Sequence, residues 1–271
     1  MAEATAALSD DVLLREDATG VTTLTLNRPR QRNSLSEALM AALTEEMNAV
    51  AEDPSVRVVV LAANGPVFSA GHDLKELTAA RQKEDRGRTY YQDIMKRCST
   101  MMLSILQNPK PVIAKVHGTA TAAGCQLVAT CDLAIAADDA HFATPGVNIG
   151  LFCSTPMVAL SRNVNRKHAM EMLLSGDMVD AAHAAEIGLI NHAVAADLLD
   201  KEVSDLAIKI ASKSSMTVSI GKRAFYDQLE LGISDAYAYT SEVMVKNMLT
   251  HDAEEGVNAF IEKRDPTWED R

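Results

Sequence analysis

Aromatic residues are scarce: Phe, Tyr and Trp together make up 4% of the 271 residues. The interior is therefore not built on stacked rings. Ala, Val, Leu, Ile and Met fill it, a composition that favours helix. Cysteine is also sparse. Cys98, Cys125, Cys131 and Cys153 form no CxxC pair and no His/Cys metal spacing. That excludes a zinc-finger ligand set, and four reduced, mostly buried thiols are expected. Basic residues are outnumbered, 26 Lys and Arg against 37 Asp and Glu, for a net charge of -11. The deficit argues against a nucleic-acid partner and against docking on an anionic membrane. It still permits an anionic small ligand, because a few local cations can reverse the potential at one site. No apolar run approaches the ~20 residues of a membrane-spanning helix. Met1 to Asp11 is Ala-rich and acidic, without the basic region, apolar run or arginines of a secretory or transit signal. A cytoplasmic location is the expectation.

Hydrophobic residues make up 47% and charged residues 23%, as in ordinary globular chains. The length suits one compact α/β core with an appendage. Val12 to Glu16 and Val21 to Leu26 read as a hairpin across Asp17-Ala18-Thr19-Gly20. Ser36 reads as the N-cap of a helix to about Ala51. Val56 to Ala62 is a buried strand, followed by a turn at Asn64-Gly65-Pro66. The stretch from Asp73 to Gln107 is helical, with a polar break near Arg86-Gly87-Arg88. Val112 to Val116 and Asp132 to Ala136 are further strands around a small-residue helix at about Thr121 to Thr130. His141 to Ala143 is a short extended piece. After about Pro156 only helices are expected, broken near Ser175-Gly176-Asp177 and at Gly188. Strands alternating with helices, then helices alone, predict a parallel-sheet α/β core with a helical C-terminal region.

Two segments can carry chemistry. In Phe68-Ser69-Ala70-Gly71-His72-Asp73, a small-residue turn leads into a helix start. Gly71 permits a left-handed backbone, and Asp73 can cap the helix. In His117-Gly118-Thr119-Ala120-Thr121-Ala122-Ala123-Gly124-Cys125-Gln126, a strand again meets a turn and a helix of small residues. The first amides of a helix lack intrahelical partners and carry positive partial charge. Two such amides converging on one oxygen form an oxyanion hole, which stabilises the enolate of a polarised thioester. Taken singly, each segment also reads as plain packing.

Together these runs resemble the crotonase superfamily, the enoyl-CoA hydratase/isomerase family. FSAGHDLKEL is similar to its A-G-x-D-[LIV] motif, and VHGTATAAGCQLVATCDLAIAADDAHFATP to the segment that supplies the second amide. LNRPRQRNSLS, AMEMLLSGDMVDAAHAAEIGLIN and EEGVNAFIEKRDPTW match further family segments in order, from about Val12 to Trp268. The resemblance implies a crotonase-like spiral of β-β-α units. It divides the chain into a core over 1–200 with the CoA and oxyanion site, and a helical region over 201–271 used in trimerisation. It implies an acyl-CoA or enoyl-CoA ligand, with coenzyme A as part of the substrate and no other cofactor or metal. The oxyanion amides would be those of His72 and Ala123. CoA contacts would come from Arg30, Arg32, Ala70, Asp73 and Lys75 and, through a neighbouring helix, Phe260 and Lys263. A homotrimer or a dimer of trimers is implied.

The chain departs from the family hydratases where they carry two glutamates: Gln126 stands at the first position and Gly146 at the second. An amide exchanges no proton near neutral pH, and glycine has no side chain. Classical hydration is therefore not expected. The run from Pro145 to Pro156 resembles the subgroup labelled enoyl-CoA hydratase domain-containing, best known from mitochondria. His72 can titrate near neutral pH, or simply point to solvent at the loop edge. Asn148 is a second polar candidate. Cys125 or Cys153 could pair with His72 in a thioesterase, or be inert. His117 and His141 read as structural. Isomerase or thioesterase chemistry, non-catalytic acyl-CoA binding, and a ligand-free role with Phe152 and Met157 filling the pocket all stay open.

Overall fold

The computed structural model describes residues 11–271. Met1 to Asp10, most of the segment from which location was argued, lies outside the described residues. A hairpin opens the chain, β1 (Leu13–Ala18) and β2 (Val21–Leu26). It turns at Thr19 and Gly20, both with positive φ, as a two-residue hairpin loop requires. In β2 the buried residues alternate, so Thr22, Leu24 and Leu26 face the core. Helix α1 (Glu37–Glu52) follows, and the Ser36 hydroxyl accepts from the Leu39 N–H as its cap.

One pattern then repeats three times. The first turn is β3 (Val58–Ala63), β4 (Val67–Ser69), α2 (Leu74–Ala80) and α3 (Arg88–Leu106). The second is β5 (Val112–Val116), β6 (Thr119–Thr121) and α4 (Ala123–Thr130). The third is β7 (Leu133–Ala137), β8 (His141–Ala143), a 3-10 turn at Pro145–Ile149 and α5 (Pro156–Asn163). The chain continues through α6 (Arg166–Ser175), β9 (Val179–Asp180), α7 (Ala181–Glu186), β10 (His192–Val194), α8 (Leu199–Ala211), α9 (Ser215–Leu229), α10 (Ile233–Met248) and α11 (His251–Glu262). The leading strand of each turn enters a six-stranded sheet ordered β1-β2-β3-β5-β7-β10. The second strand of each enters a four-stranded sheet ordered β4-β6-β8-β9. This is the expected spiral of β-β-α units.

The expectation of helices alone after Pro156 needs correction, because β9 and β10 lie there. Likewise β6 occupies Thr119–Thr121, and α4 starts only at Ala123. These strands have two or three residues, too few for an alternating pattern to show. They exist because β8, β7 and β4 offer open edges to pair with.

The large sheet is buried on both faces. Val59 and Leu61 of β3 point to the cluster holding Leu39, Leu43 and Met101 of α1 and α3. Val58 and Val60 point the other way, onto Leu199, Val203 and Ala207 of α8. A strand covered on both sides reads as an unbroken apolar run, which is why VRVVVLA was legible. Helix α9 is tied down by charge. Lys222 Nζ lies 2.7 Å from Asp132 Oδ2 and donates also to the carbonyls of Lys110 and Ile105. The Tyr226 hydroxyl donates to Asp132 Oδ1 at 2.8 Å, and the Val112 N–H donates to Oδ2 at 2.7 Å. Burial pushes the Lys222 ammonium below the usual lysine value, although Asp132 opposes the shift.

The turn before α4 is strained. Ala122 sits at φ 51° and ψ -119°, a conformation suited to glycine. The Ala122 N–H donates to the Ala143 carbonyl, and its own carbonyl accepts from Gln126 N–H, so both neighbours hold it there.

Two stability measurements follow. Asp132→Ala strands a buried ammonium, a phenol and an amide, and is expected to cost about 3–5 kcal/mol. Urea unfolding reads this, and a loss below about 1 kcal/mol would contradict the network's role. Ala122→Gly releases roughly 1–3 kcal/mol of strain against roughly 0.5–1 kcal/mol of added chain entropy. The melting temperature should rise by roughly 2–4 °C, and a fall would show that Ala122 is not strained.

Candidate active site

The site begins with a buried asparagine. Asn33 is fully buried and has φ 49°, a left-handed conformation that Asn tolerates. Its Oδ1 accepts from the Arg28 N–H at 2.8 Å. Its Nδ2 donates to the carbonyls of Asn64 at 2.8 Å and Val67 at 2.7 Å. Its own carbonyl accepts from the Ser69 hydroxyl at 2.9 Å. One side chain thus pins the turn after β2 to the strand β4 that leads into Gly71 and His72.

Beyond it, Leu35 bridges His72 in parallel fashion. The Leu35 N–H donates to the Gly71 carbonyl at 2.8 Å, and the Asp73 N–H donates to the Leu35 carbonyl at 3.3 Å. In such a bridge the residues on either side carry the bonds, and the central residue's own N–H points the other way. No described hydrogen bond uses the His72 N–H.

The facing loop meets this one closely. A methyl group on Gly71 (φ 83°) would lie 2.9 Å from Ala122 Cβ and 3.0 Å from the Ala123 nitrogen. Gly124 presses equally hard on Ser69, where a Cβ would lie 2.8 Å from the Ser69 Cβ. Ala123 is the first residue of α4, so its N–H has no partner within the helix, and no described bond uses it. Two unpartnered amides therefore lie on two loops in van der Waals contact.

Along the two loops the neighbouring residues include His72, Gln126 and Cys125, none of them a carboxylate. His72 is half-buried, with both ring nitrogens shielded from solvent, contrary to a side chain pointing to solvent, and the Leu35 carbonyl is the ring's one polar neighbour. Burial pushes its pKa below the ordinary histidine value, with the Leu35 carbonyl pulling weakly back. Gln126 is 6% exposed, and its Oε1 is unpartnered. Helical side chains lean toward the N-terminus, so from α4 the Gln126 amide covers the Ala122–Ala123 turn. Cys125 is buried with its thiol pushed up to about 12, mainly by desolvation, and the Cys153 thiol is raised for the same reason. Thiolates are absent at neutral pH, which removes the Cys–His nucleophile.

Gly146 cannot be replaced freely. The Leu151 N–H donates to its carbonyl at 2.9 Å, closing the 3-10 turn. A Cβ there would strike the Leu151 carbonyl oxygen and lie 2.9 Å from Cys153 Sγ. Asn148 on the same turn is exposed, as are Phe152 and Met157, so neither of the latter two is buried as a plug.

The basic and capping residues gather at one edge. Arg30 and Arg32 are exposed on the turn at Pro29–Gln31, and the Arg32 carbonyl accepts from the Ala70 N–H at 3.0 Å. Asp73 caps α2 by accepting from the Lys75 N–H at 3.1 Å, and it pairs with Arg28 at 3.2 Å. Burial raises the Asp73 pKa, but the bonds from Lys75, Arg28 and Ser34 outweigh it and hold it below the usual range. Lys75 is exposed. Phe260 and Lys263 lie apart: no hydrogen bond or ion pair among the described residues joins α11 or Lys263 to either loop, and Phe260 is 86% exposed. His117 and His141 are bonded to the carbonyls of Gly65 and Asp139. Sequence reasoning missed Asn33 as the clamp. A lone Asn in an Arg-rich turn gives no sign that it is buried.

With this geometry in view, comparison with known proteins is informative. The sequence model described as Enoyl-CoA hydratase/isomerase matches residues 16–271. A relative from Rattus norvegicus, "Enoyl-CoA hydratase domain-containing protein 3, mitochondrial", is 48% identical over 249 residues, covering 92% of this chain and 81% of that one. The crystal structure of a Mycobacterium smegmatis enoyl-CoA hydratase superposes with a TM-score of 0.90 at 53% identity, covering 95% of this chain and 98% of that one. That of human enoyl Coenzyme A hydratase domain-containing protein 3 does so with a TM-score of 0.90 at 45% identity, covering 95% and 100%. The cytoplasmic expectation is corrected by these names. The rat and human relatives are named as mitochondrial proteins, which points to a mitochondrial rather than a cytoplasmic location. By sequence and by fold, the chain belongs to the enoyl-CoA hydratase/isomerase (crotonase) family, in the subgroup of its hydratase-domain-containing members.

Proposed function

We propose that this protein binds an acyl-CoA thioester and polarises its carbonyl between the N–H groups of His72 and Ala123, within acyl-CoA metabolism. The observation that carries this reading is the pair of unpartnered amides on two touching loops. Preorganised amides of this kind stabilise developing negative charge on an oxygen. Arg30, Arg32 and Lys75 supply cations at the adjoining edge of an otherwise acidic protein, where the phosphates of CoA would lie.

Hydration is not part of the proposal. Each positioned acid/base group contributes about 10²–10⁴ in rate, and Gln126 and Gly146 supply none. The tight 3-10 turn at Gly146 favours a site that has been remodelled, not one that has merely lost a side chain.

The core over 1–200 would hold the site, and 201–271 would provide an assembly face. Ile233, Leu249 and Phe260 are 78%, 82% and 86% exposed on the C-terminal helices and the turn between them. Such a face calls for cover. A neighbouring copy in a trimer would cover it and bring Phe260 and Lys263 to the CoA edge.

Calorimetric titration with crotonyl-CoA should show binding, while the ultraviolet absorbance of its conjugated double bond stays constant. No binding would overturn the proposal, and rapid loss of absorbance would overturn the exclusion of hydration. Restoring both carboxylates by Gln126→Glu with Gly146→Glu should fail as a rescue. Gly146→Glu alone is expected to destabilise the fold by roughly 1–3 kcal/mol through overpacking, read by urea unfolding.

A further inference from the structure

We propose that the first turns of α3 carry a second ligand site, for the anion of a medium-chain fatty acid. Its carboxylate would rest on Arg86 and Arg88, and its alkyl chain on Tyr91 and Met95. The site shares no residue with the two loops of the thioester reading and does not depend on that reading.

The place is a shallow cleft of about 480 Å³ lined by Arg86, Arg88, Tyr91, Gln92 and Met95. Arg88, Tyr91 and Met95 stand at i, i+3 and i+7, so they share one face of α3. That face runs roughly 10 Å from Arg88 to Met95 at the rise of an α-helix. Arg86 stands at its end, on the turn that precedes the helix.

The floor of the cleft is apolar and fixed. The Tyr91 hydroxyl donates to the Leu77 carbonyl at 3.0 Å, which ties α3 to α2. With the hydroxyl engaged there, the ring has carbon to offer the cleft. A Cβ on Gly87 (φ 87°) would lie 2.9 Å from Tyr91 Cζ, so glycine is what lets the ring lie against the turn. Met95, half-buried, continues the apolar surface one helical turn further.

The rim of the cleft is positive and lacks counterions. Acidic residues outnumber basic ones in this chain, 37 to 26. Arg15, Arg28, Arg57 and Arg97 each pair with a carboxylate within 3.2 Å. Arg86 and Arg88 are exposed and make no ion pair or side-chain hydrogen bond among the described residues. Asp85, their neighbour in the chain, is used elsewhere. Its carboxylate accepts from the Gly87 N–H at 2.9 Å and the Thr89 N–H at 2.8 Å. The helix start therefore already has its anion, and the two guanidinium groups are what is left uncompensated. Arg86 also holds a left-handed backbone, φ 54°, which a long side chain seldom adopts.

Two like charges on one cleft repel, and an anion between them relieves the repulsion. The guanidinium fork matches a carboxylate in two parallel hydrogen bonds. An inorganic anion would use only the rim, and a neutral alcohol only the floor. A fatty carboxylate uses both.

The experiment is calorimetric titration of the full chain with octanoate, with inorganic phosphate and 1-octanol as separate arms. Octanoate should bind, and less tightly as salt rises. Phosphate and octanol should each bind at least about tenfold more weakly, for want of the floor or the rim contacts. Arg86→Gln with Arg88→Gln should weaken octanoate at least about tenfold. These side chains are exposed, so an unchanged urea midpoint is expected to show that the variant is folded. Octanoate should still bind in the presence of excess crotonyl-CoA. Absence of octanoate binding, phosphate or octanol binding as tightly as octanoate, octanoate binding that survives the double arginine change, or displacement of octanoate by crotonyl-CoA would each overturn the proposal.

Discussion

The hydrogen bonds of Asn33 are the constraint on which the site depends. A single buried amide accepts from one backbone N–H and donates to two carbonyls, and the residue's own carbonyl receives the Ser69 hydroxyl. Three stretches of irregular chain meet there, and none has a long hydrogen-bond ladder of its own. Buried backbone groups without partners are costly. The clamp satisfies several at once and thereby fixes where β4 ends and where Gly71 and His72 begin. The His72 amide inherits its direction from that arrangement.

The second loop is positioned by contact more than by bonding. Gly71 against Ala122 and Ala123, and Gly124 against Ser69, leave no room for a Cβ at either glycine. Closeness of this kind has a cost, which appears at Ala122. An alanine holds a backbone conformation that glycine would adopt freely, because the Ala143 carbonyl and the α4 hydrogen bond both require it. Strain of this sort concentrates at functional sites, where the surrounding structure over-determines one geometry.

The chemistry of the pocket follows from what is neutral there. No described carboxylate stands at the positions where the family hydratases carry theirs. The thiols are held protonated by desolvation, and the amide of Gln126 cannot titrate. Charge is kept to the rim, where Arg28 and Asp73 pair and Arg30, Arg32 and Lys75 meet solvent. Under the proposed reading, a site without carboxylates around two free amides would strengthen their hold on negative charge, since electrostatic interactions grow as the local dielectric falls.

By itself the sequence determined the alternation of strands and helices, the Ser36 cap, the buried strand read at Val56 to Ala62 and the two small-residue loops. Each of these rests on interactions within a few residues or on a periodic apolar pattern, which composition and spacing record directly. The family motifs added the spiral and the loss of both glutamates. Tertiary structure alone decided the rest. The strands β6, β9 and β10 form because neighbouring edges await them. Asn33 becomes a clamp only when β4 passes beside it. Gly146 proves irreplaceable only when Leu151 folds back over it. The His72 ring could have faced solvent on local grounds, and its nitrogens are shielded because the turn around it closes. Contacts between residues distant in the chain carry no periodic trace, so a sequence leaves them unwritten until the backbone brings them together.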